Sequence, residues 1–462
     1  MREPEAMEPF LRDWRGNYAG KAAAILLPAE TQQVAAVMSL CHEHGLGVVP
    51  QSGNTGLSGG AVPGSADDEI VLNLRRMNRI RAIEADASTM TVEAGCILQQ
   101  VRDAAEEAGR FFPLSLAAQG SACIGGVMAT NAGGTNVLRY GNARDMALGL
   151  EVVLPDGRVW DGLSRLRKDN SGYDLKDLFI GSEGTLGVIT AATLRLFPLP
   201  RQRETAWVSV RDPTGALRVF TELNDQCGDH LSGCELISGP ALDLVLRHVP
   251  DTRSPADQPS SWYVLVELTG PEWVNLGEAL QKTLAGLLDD GVATDVVIAG
   301  NLAQSDALWR LRETISEAQH GEGASIKHDI SVPVRQIPEL IERLAGLMSK
   351  HWPDAQPCVF GHLGDGNLHY NISQPAGATA ENFMKQRPEI NRLVYDATAA
   401  LGGSFSAEHG IGQLKRDELA RYKSTVELDL FRSLKLALDP KGIMNPGKVL
   451  PNESRPDEQE AT

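Results

Sequence analysis

The chain is 462 residues long, which at about 150 residues per domain sets an expectation of two or three domains. Its 42% hydrophobic and 22% charged residues exclude a chain that is disordered overall, a collagen and a disulfide scaffold. Lys and Arg number 43 against 60 Asp and Glu, a net charge of −17 that repels nucleic acid and anionic membrane surfaces. An anionic substrate would therefore need a local basic cluster.

The first residues, MREPEAMEPFLRDW, lack the basic-then-apolar order of a signal peptide, and no run reaches 18 apolar residues. The six cysteines include no CxxC pair. These features point to reduced thiols, a cytoplasmic location, no integral membrane segment and no nucleic-acid partner.

In chain order, ETQQVAAVMSLCHEHG from Glu30 is an amphipathic helix closed by Gly45, and it feeds a strand at 46–50. Strands are expected at 70–74, 80–84 and 90–94, followed by a helix closed by Gly109. Residues 148–160 form a hairpin around Pro155-Asp156-Gly157. The texture changes near 200: strands such as WYVLVEL (262–268) alternate with helices, as in an α+β domain. The divisions read as 1–200, 201–420, a returning segment 421–451 and a polar, disordered tail 452–462.

Glycine is over-represented, 46 residues or about 10% against a usual value of about 7%, and the surplus is clustered. The strand at 46–50 runs into PQSGNTGLSGG, where Gly53, Gly56, Gly59 and Gly60 let backbone N–H groups approach an anion without Cβ clash. Neither GxGxxG nor GxxxxGK[ST] occurs, so a dinucleotide-binding Rossmann motif and a P-loop are both unsupported.

Two further blocks, GSACIGGVMATNAGGTNVLRYG (120–141) and GYDLKDLFIGSEGTLGVIT (172–190), complete a pattern. Together the three resemble the flavoenzymes of the vanillyl-alcohol-oxidase (PCMH-type) FAD family, over nearly the whole chain. The resemblance implies an α+β fold: a two-subdomain FAD-binding domain plus an α+β substrate or cap domain with an antiparallel sheet. It implies FAD contacts from Pro50, Gln51, Ser52, Gly53, Asn54, Thr55, Gly56, Leu57 and Ser58 in the first loop. Pro113, Ser121, Gly125, Gly126, Thr130, Asn131, Gly133 and Gly134 would follow from the second block and its approach. Gly141, Glu183, Gly184, Val188, Ile189 and Asn445 would complete the set. Members that bond FAD covalently through the first loop carry His after the glycine; here Asn54 stands there, so FAD is expected to be dissociable.

In CVFGHLGDGNLHYNI (358–372), Asp365-Gly366 is a two-residue hairpin signal. Centring the turn there places His362 directly opposite His369, close enough for two imidazoles to meet one ion, with Asn371 on the same face. A carboxylate would complete such a site, and Glu408, followed by His409 in a glycine-bracketed segment, is a candidate. GHLGDGNLHYN and AEHGIG resemble the metal motif of the D-2-hydroxyacid dehydrogenase branch of the flavin family, which includes D-2-hydroxyglutarate and cytochrome-type D-lactate dehydrogenases. That implies Zn²⁺ or another divalent ion on His362, His369 and Glu408, with Asn371 and His409 facing substrate.

In ALWRLRETISEA (307–318), Leu308, Leu311, Ile315 and Ala318 form a core stripe of one helix, and Arg312 and Ser316 are neighbours four apart. In GASIKHDISVPV, alternation turns Lys327 away from the apolar side. Arg312, Ser316 and Lys327 resemble the dicarboxylate pocket of that branch, with Ser in place of Thr. The implied reaction is oxidation of a D-2-hydroxy acid, D-2-hydroxyglutarate first, to its 2-oxo acid, with hydride passing to FAD and His409 as general base. The alternatives are D-lactate, glycolate or D-malate, and outside redox chemistry an FAD-fold transferase. Partners would be the hydroxy acid, an acceptor such as an electron-transfer flavoprotein, quinone or cytochrome, and a second copy in a homodimer.

Overall fold

The first expected helix forms over Thr31–His44, burying Thr31, Val34, Met38 and Cys41 at helical spacing and stopping where Gly45 takes φ +67°. Helix Leu98–Glu107 likewise buries Leu98, Val101 and Ala105 and gives way to Gly109 at φ +69°. The 155–157 turn joins Ala147–Val153 to Val159–Gly162, with Gly157 N–H donating to the Leu154 carbonyl at 2.9 Å. These come from a computed structural model that describes residues 1–66 and 68–451. The tail 452–462, expected to be disordered, lies outside the described residues.

The chain divides into two compact units, one of 1–133, 142–198 and the stretch from Glu408 onward, the other of 134–141 and 199–407. The return to the first unit thus begins at Glu408 rather than at 421, and residues 134–141 leave the first half. The reason for the latter is local: the turn of helix Val137–Tyr140 packs in the second unit, where Arg139 Nη1 donates to the Thr269 carbonyl at 2.6 Å.

In the first unit, Ala24–Leu26, Glu69–Asn73 and Gly47–Gln51 form a parallel sheet with Glu69–Asn73 in the middle. Ile80–Glu84, Thr89–Glu93, Val188–Arg195, Ala147–Val153 and Val159–Gly162 form a five-stranded antiparallel sheet in that order. Met444, from the returning segment, bridges Val48 and joins a core with Val34, Met38, Ile70 and Leu72.

This antiparallel sheet holds two buried carboxylates paired with arginines that reach solvent. Glu151 and Glu93 lie on its strands, and Arg81 reaches both, with Nη2 at 3.1 Å from Glu151 and Nε at 3.3 Å from Glu93. Thr31 and Thr190 hydroxyls also donate to Glu151 at 2.6 and 2.7 Å. Burial alone would raise both carboxyls, but these donors, with Arg79 on Glu93, hold them below the ordinary range.

The second unit is built on an eight-stranded antiparallel sheet. Its path runs Ala293–Ile298, Gln202–Val210, Trp262–Gly270, Leu231–Ser238, Gln356–His362, Asn367–Ser373, with Ser325–Ile326 and Asp329–Ser331 both pairing the last. Trp207, Leu265, Cys358 and Phe360 share a core with Leu308, Leu311, Ile315 and Ala318, the stripe read from the sequence. The stripe is carried by two pieces rather than one helix, Leu302–Glu313 and Ile315–Ala318, with Thr314 between them.

Among the described residues no helix is long and apolar enough to cross a membrane.

Candidate active site

The first unit gathers the predicted FAD loops. Gln51 ends its strand with the side-chain amide committed to protein: Nε2 donates to the carbonyls of Phe10 (2.9 Å) and Ala61 (2.8 Å), and Oε1 accepts from Asn73 (2.9 Å). It braces the loop that follows. A Cβ at Gly53 would run into the Ser121 carbonyl, so the first and second glycine blocks meet backbone to backbone.

Four predicted cofactor residues other than glycine hold left-handed backbone: Asn54 (φ 52°), Asn131 (49°), Glu183 (52°) and Asn445 (44°). Such conformations are strained for side-chain-bearing residues and gather at functional sites. Each is held by a named contact. Asn54 Nδ2 donates to the Arg12 carbonyl (2.8 Å), and Asn131 Oδ1 accepts from Arg144 N–H (2.9 Å). Glu183 accepts from the N–H groups of Ile411 (2.7 Å) and Gly412 (2.8 Å). Asn445 Nδ2 donates to the carbonyls of Gly60 (2.9 Å) and Glu183 (2.7 Å). Burial pushes the Glu183 carboxyl up, against the pull of the two N–H groups and Lys415.

Other predicted residues fill out the same unit. Pro113 and Gly133 are buried, Thr130 caps back onto the Gly126 carbonyl at 2.9 Å, and Ser121 is exposed. Val188 and Ile189 are buried at the start of their strand, paired with Val153 and Val152. Gly134 and Gly141 fall in the second unit. Asn445 Oδ1 is a buried acceptor with no partner among the described residues. An orphaned acceptor beside glycine-walled backbone and four strained residues fits a tightly embraced cofactor such as FAD.

The second unit places the predicted residues His362, His369 and Asn371 on one sheet face, and it corrects the hairpin. His362 pairs with Asn367 and His369 with Phe360, so the two histidines are diagonal neighbours rather than directly opposite. The connection is four residues, Leu363–Gly366, because Leu363 is drawn into the interior and Gly366 (φ +86°) returns its N–H to the His362 carbonyl at 3.2 Å. The imidazoles still adjoin, with ring centroids 5.9 Å apart.

Glu235, absent from the sequence-based set, is the hub of this face. It pairs in register with His362, and its side chain is 1% exposed. Oε1 lies 2.7 Å from His362 Nδ1, and Oε2 accepts from Arg312 Nε at 2.8 Å. Burial would raise the Glu235 carboxyl, but His362 and Arg312 bring it below the ordinary range, so it is ionised. A carboxylate on Nδ1 favours the tautomer whose lone pair is on Nε2, the form a metal takes. Arg312 is buried and lies over the Phe360 ring at 4.9 Å.

Asp329 pairs with His369 and accepts from Asn367 Nδ2 at 3.0 Å. The register is the same on either side of residues 327–328, which sets Lys327 opposite Asn371. Asn371 is already engaged: Nδ2 donates to Gln319 Oε1 (2.8 Å), and Oδ1 accepts from His328 N–H (3.1 Å). Ser316 is exposed on its single helical turn. Ala407 N–H donates to the Asp329 carbonyl at 3.2 Å, and Glu408, the next residue, opens the stretch assigned to the first unit. There His409 is tied by its carbonyl to Ser58 Oγ at 3.0 Å. The structure thus joins His362, His369 and Asn371 on one face with Glu235 and Asp329, with Arg312 reaching that face from its helix through Glu235 and Lys327 lying between the two short strands that flank it. Glu235 had a sequence signal, being the one charged residue in the otherwise uncharged strand LSGCELIS.

Residues 22–162 match the FAD binding domain family, and residues 199–449 match the C-terminal domain of FAD-linked oxidases. The chain belongs to the FAD-linked oxidase family. It is 41% identical over 453 residues to the mitochondrial D-2-hydroxyglutarate dehydrogenase of Bos taurus, covering 98% of this chain and 81% of the relative. It is 37% identical over 454 residues to the D-2-hydroxyglutarate dehydrogenase of Xanthomonas citri pv. viticola, covering 98% and 94%. Among solved structures, p-cresol methylhydroxylase with substrate bound superposes with a TM-score of 0.74 at 18% identity, covering 97% of this chain and 93% of that one. The fold is therefore that of the vanillyl-alcohol-oxidase (PCMH-type) flavoproteins.

Proposed function

We propose that this chain oxidises a D-2-hydroxy acid, D-2-hydroxyglutarate foremost, to the 2-oxo acid and delivers the electrons to a separate acceptor. One observation carries the reading: Arg312, on helix Leu302–Glu313, is anchored by Glu235 to the sheet face that carries His362, His369 and Asn371, and the register on either side of Lys327 directs it to the same face. Two cations on one face suit the two carboxylates of a dicarboxylic acid, and in a chain of net charge −17 they supply the local field that such a substrate requires. The names of the relatives at 37% and 41% identity favour the same substrate. D-lactate and glycolate fit less well, since a single carboxylate would engage only one of the two cations. D-malate is the nearer competitor.

FAD, held without a covalent bond because Asn54 occupies the attachment position, supplies the hydride acceptor when bound. His362, His369 and Glu408 would hold a divalent cation, Zn²⁺ or similar, whose chemistry is to acidify a bound hydroxyl. The donor set fits such an ion: two adjoining imidazoles, one already oriented by a carboxylate, and a carboxylate one peptide bond from Ala407, which is fixed to the partner strand of His369. Arg312 presents its terminal nitrogens to a carboxylate, and Lys327 pairs with the second. Ser316 would contribute a hydrogen bond to the substrate, as would Asn371 through the amide hydrogen that Gln319 Oε1 does not take, and His409 would take the hydroxyl proton.

The acceptor is an electron-transfer flavoprotein, a quinone or a cytochrome. A homodimer is supported by Val426 and Leu430, 68% and 58% exposed on helix Thr425–Leu438, which has no buried residue. Six buried, unpaired cysteines support a reducing compartment, the cytoplasm.

The test is a panel of D- and L-2-hydroxy acids with an artificial electron acceptor, run before and after chelator treatment and zinc readdition. D-2-Hydroxyglutarate should have the highest kcat/KM, with activity lost to the chelator and restored by zinc. Equal turnover of D-lactate would overturn the substrate assignment, and chelator-insensitive activity would overturn the metal assignment.

A further inference from the structure

A fully buried carboxylate costs several kcal/mol in desolvation unless it is compensated, and Glu235 is compensated on each oxygen, by the Arg312 charge on Oε2 and by the His362 Nδ1–H hydrogen bond on Oε1. Its partners have different proposed tasks: His362 would hold the cation, and Arg312 would hold a substrate carboxylate. Neither contact is incidental. Strand register sets Glu235 directly across from His362, and the Phe360 ring packs against the guanidinium that meets the carboxylate. With Nε committed to Glu235, the guanidinium turns its Nη edge away from that carboxylate, the edge that binds a second carboxylate in a fork.

Resting on the reading given above, we infer that Glu235 is a positioning residue whose single carboxylate orients both His362 for the cation and Arg312 for the dicarboxylate. The two binding events are thereby linked through one side chain. A change at Glu235 then weakens metal and substrate together, although Glu235 touches neither. A neutral amide cannot reproduce this role. Gln offers one acceptor and one donor, so at least one of the two N–H partners would face an NH₂ group.

The experiment compares wild type with Glu235→Gln and Glu235→Asp, all loaded with FAD. Zinc affinity is read by competition with a chromophoric chelator, independently of turnover, and KM and kcat for D-2-hydroxyglutarate are measured at saturating zinc. Loss of an outer partner of a metal-bound histidine costs about 10- to 100-fold in metal affinity. Glu235→Gln should show a loss of that size together with a raised KM, and Glu235→Asp should recover part of both. Zinc affinity and KM both within twofold of wild type in Glu235→Gln would overturn the inference. A raised KM with unchanged zinc affinity would overturn the link to His362. Should Glu235→Gln fail to take up FAD, Glu235→Asp decides: wild-type zinc affinity and KM there would overturn the inference. Wild type that binds no zinc would instead overturn the metal reading itself, a result distinguishable because it appears before any substitution is made.

Discussion

Ser58 donates its hydroxyl hydrogen to the carbonyl of His409 across 3.0 Å. A residue of the first glycine loop therefore holds the backbone of the proposed general base, and Glu183 holds the next turn through Ile411 and Gly412. Losing one such hydrogen bond costs about 0.5–1.5 kcal/mol, so Ser58→Ala should slow flavin reduction by D-2-hydroxyglutarate about two- to twelvefold. His409→Ala removes the base itself and should slow it about 10²- to 10⁴-fold while FAD stays bound. Anaerobic stopped-flow absorbance separates the two, and rapid reduction in His409→Ala would reject its role.

Asn54 carries no nucleophile for the flavin, and its amide is occupied with the Arg12 carbonyl. Denaturing the purified protein in acid should release all of the flavin into the supernatant. Yellow colour or flavin fluorescence remaining with the washed precipitate would show a covalent bond.

Arg81 bridges Glu151 and Glu93, with Arg79 supplying a second charge at Glu93. Removing one member of a fully buried ion pair costs about 3–5 kcal/mol, but Arg81 is partly exposed and Arg79 also engages Glu93, so Arg81→Met should be destabilised at pH 7 by less than that. Because the folded carboxyls lie below their ordinary values, their stabilising contribution is complete above the unfolded-chain value of about 4.3 and falls away as pH drops through the folded values. The gap between wild type and Arg81→Met should accordingly narrow in acid. Urea titrations from pH 3 to pH 7 measure it, and a gap that widens toward low pH would contradict the assignment.

Lys327 lies between the strands Ser325–Ile326 and Asp329–Ser331, whose shared register would set it across from Asn371. Lys327→Met should raise KM for D-2-hydroxyglutarate by about 10-fold or more, since a hydrogen bond to a charged group contributes about 1.5–3 kcal/mol. D-Lactate, lacking the second carboxylate, should be affected much less. An equal change for both substrates would remove Lys327 from the dicarboxylate pocket.

What was legible in the sequence was local. Gly45 and Gly109 end helices because glycine alone reaches φ near +70° without strain, and Pro155-Asp156-Gly157 turns the chain wherever it occurs. The loop from Gly53 to Ser58 announces close backbone approach by its composition. What escaped depended on distant partners. Nothing in LGDG reveals that Leu363 will be buried, yet its burial lengthens the turn and shifts His369 from His362 to Phe360. Glu235 meets His362 across 127 positions of sequence, and Asp329 meets His369 only through a three-residue strand. Periodicity fixes which face a side chain takes, but register needs the neighbouring strand.

Asn445 closes the first-unit cradle on Gly60 from 385 positions further along the chain, and Met444 completes the core beside Val48. A nascent polypeptide extended residue by residue has no finished cofactor pocket until both have been added. The first unit is therefore complete as a folded body only once its C-terminal stretch, from Glu408 onward, has joined residues 1–133 and 142–198.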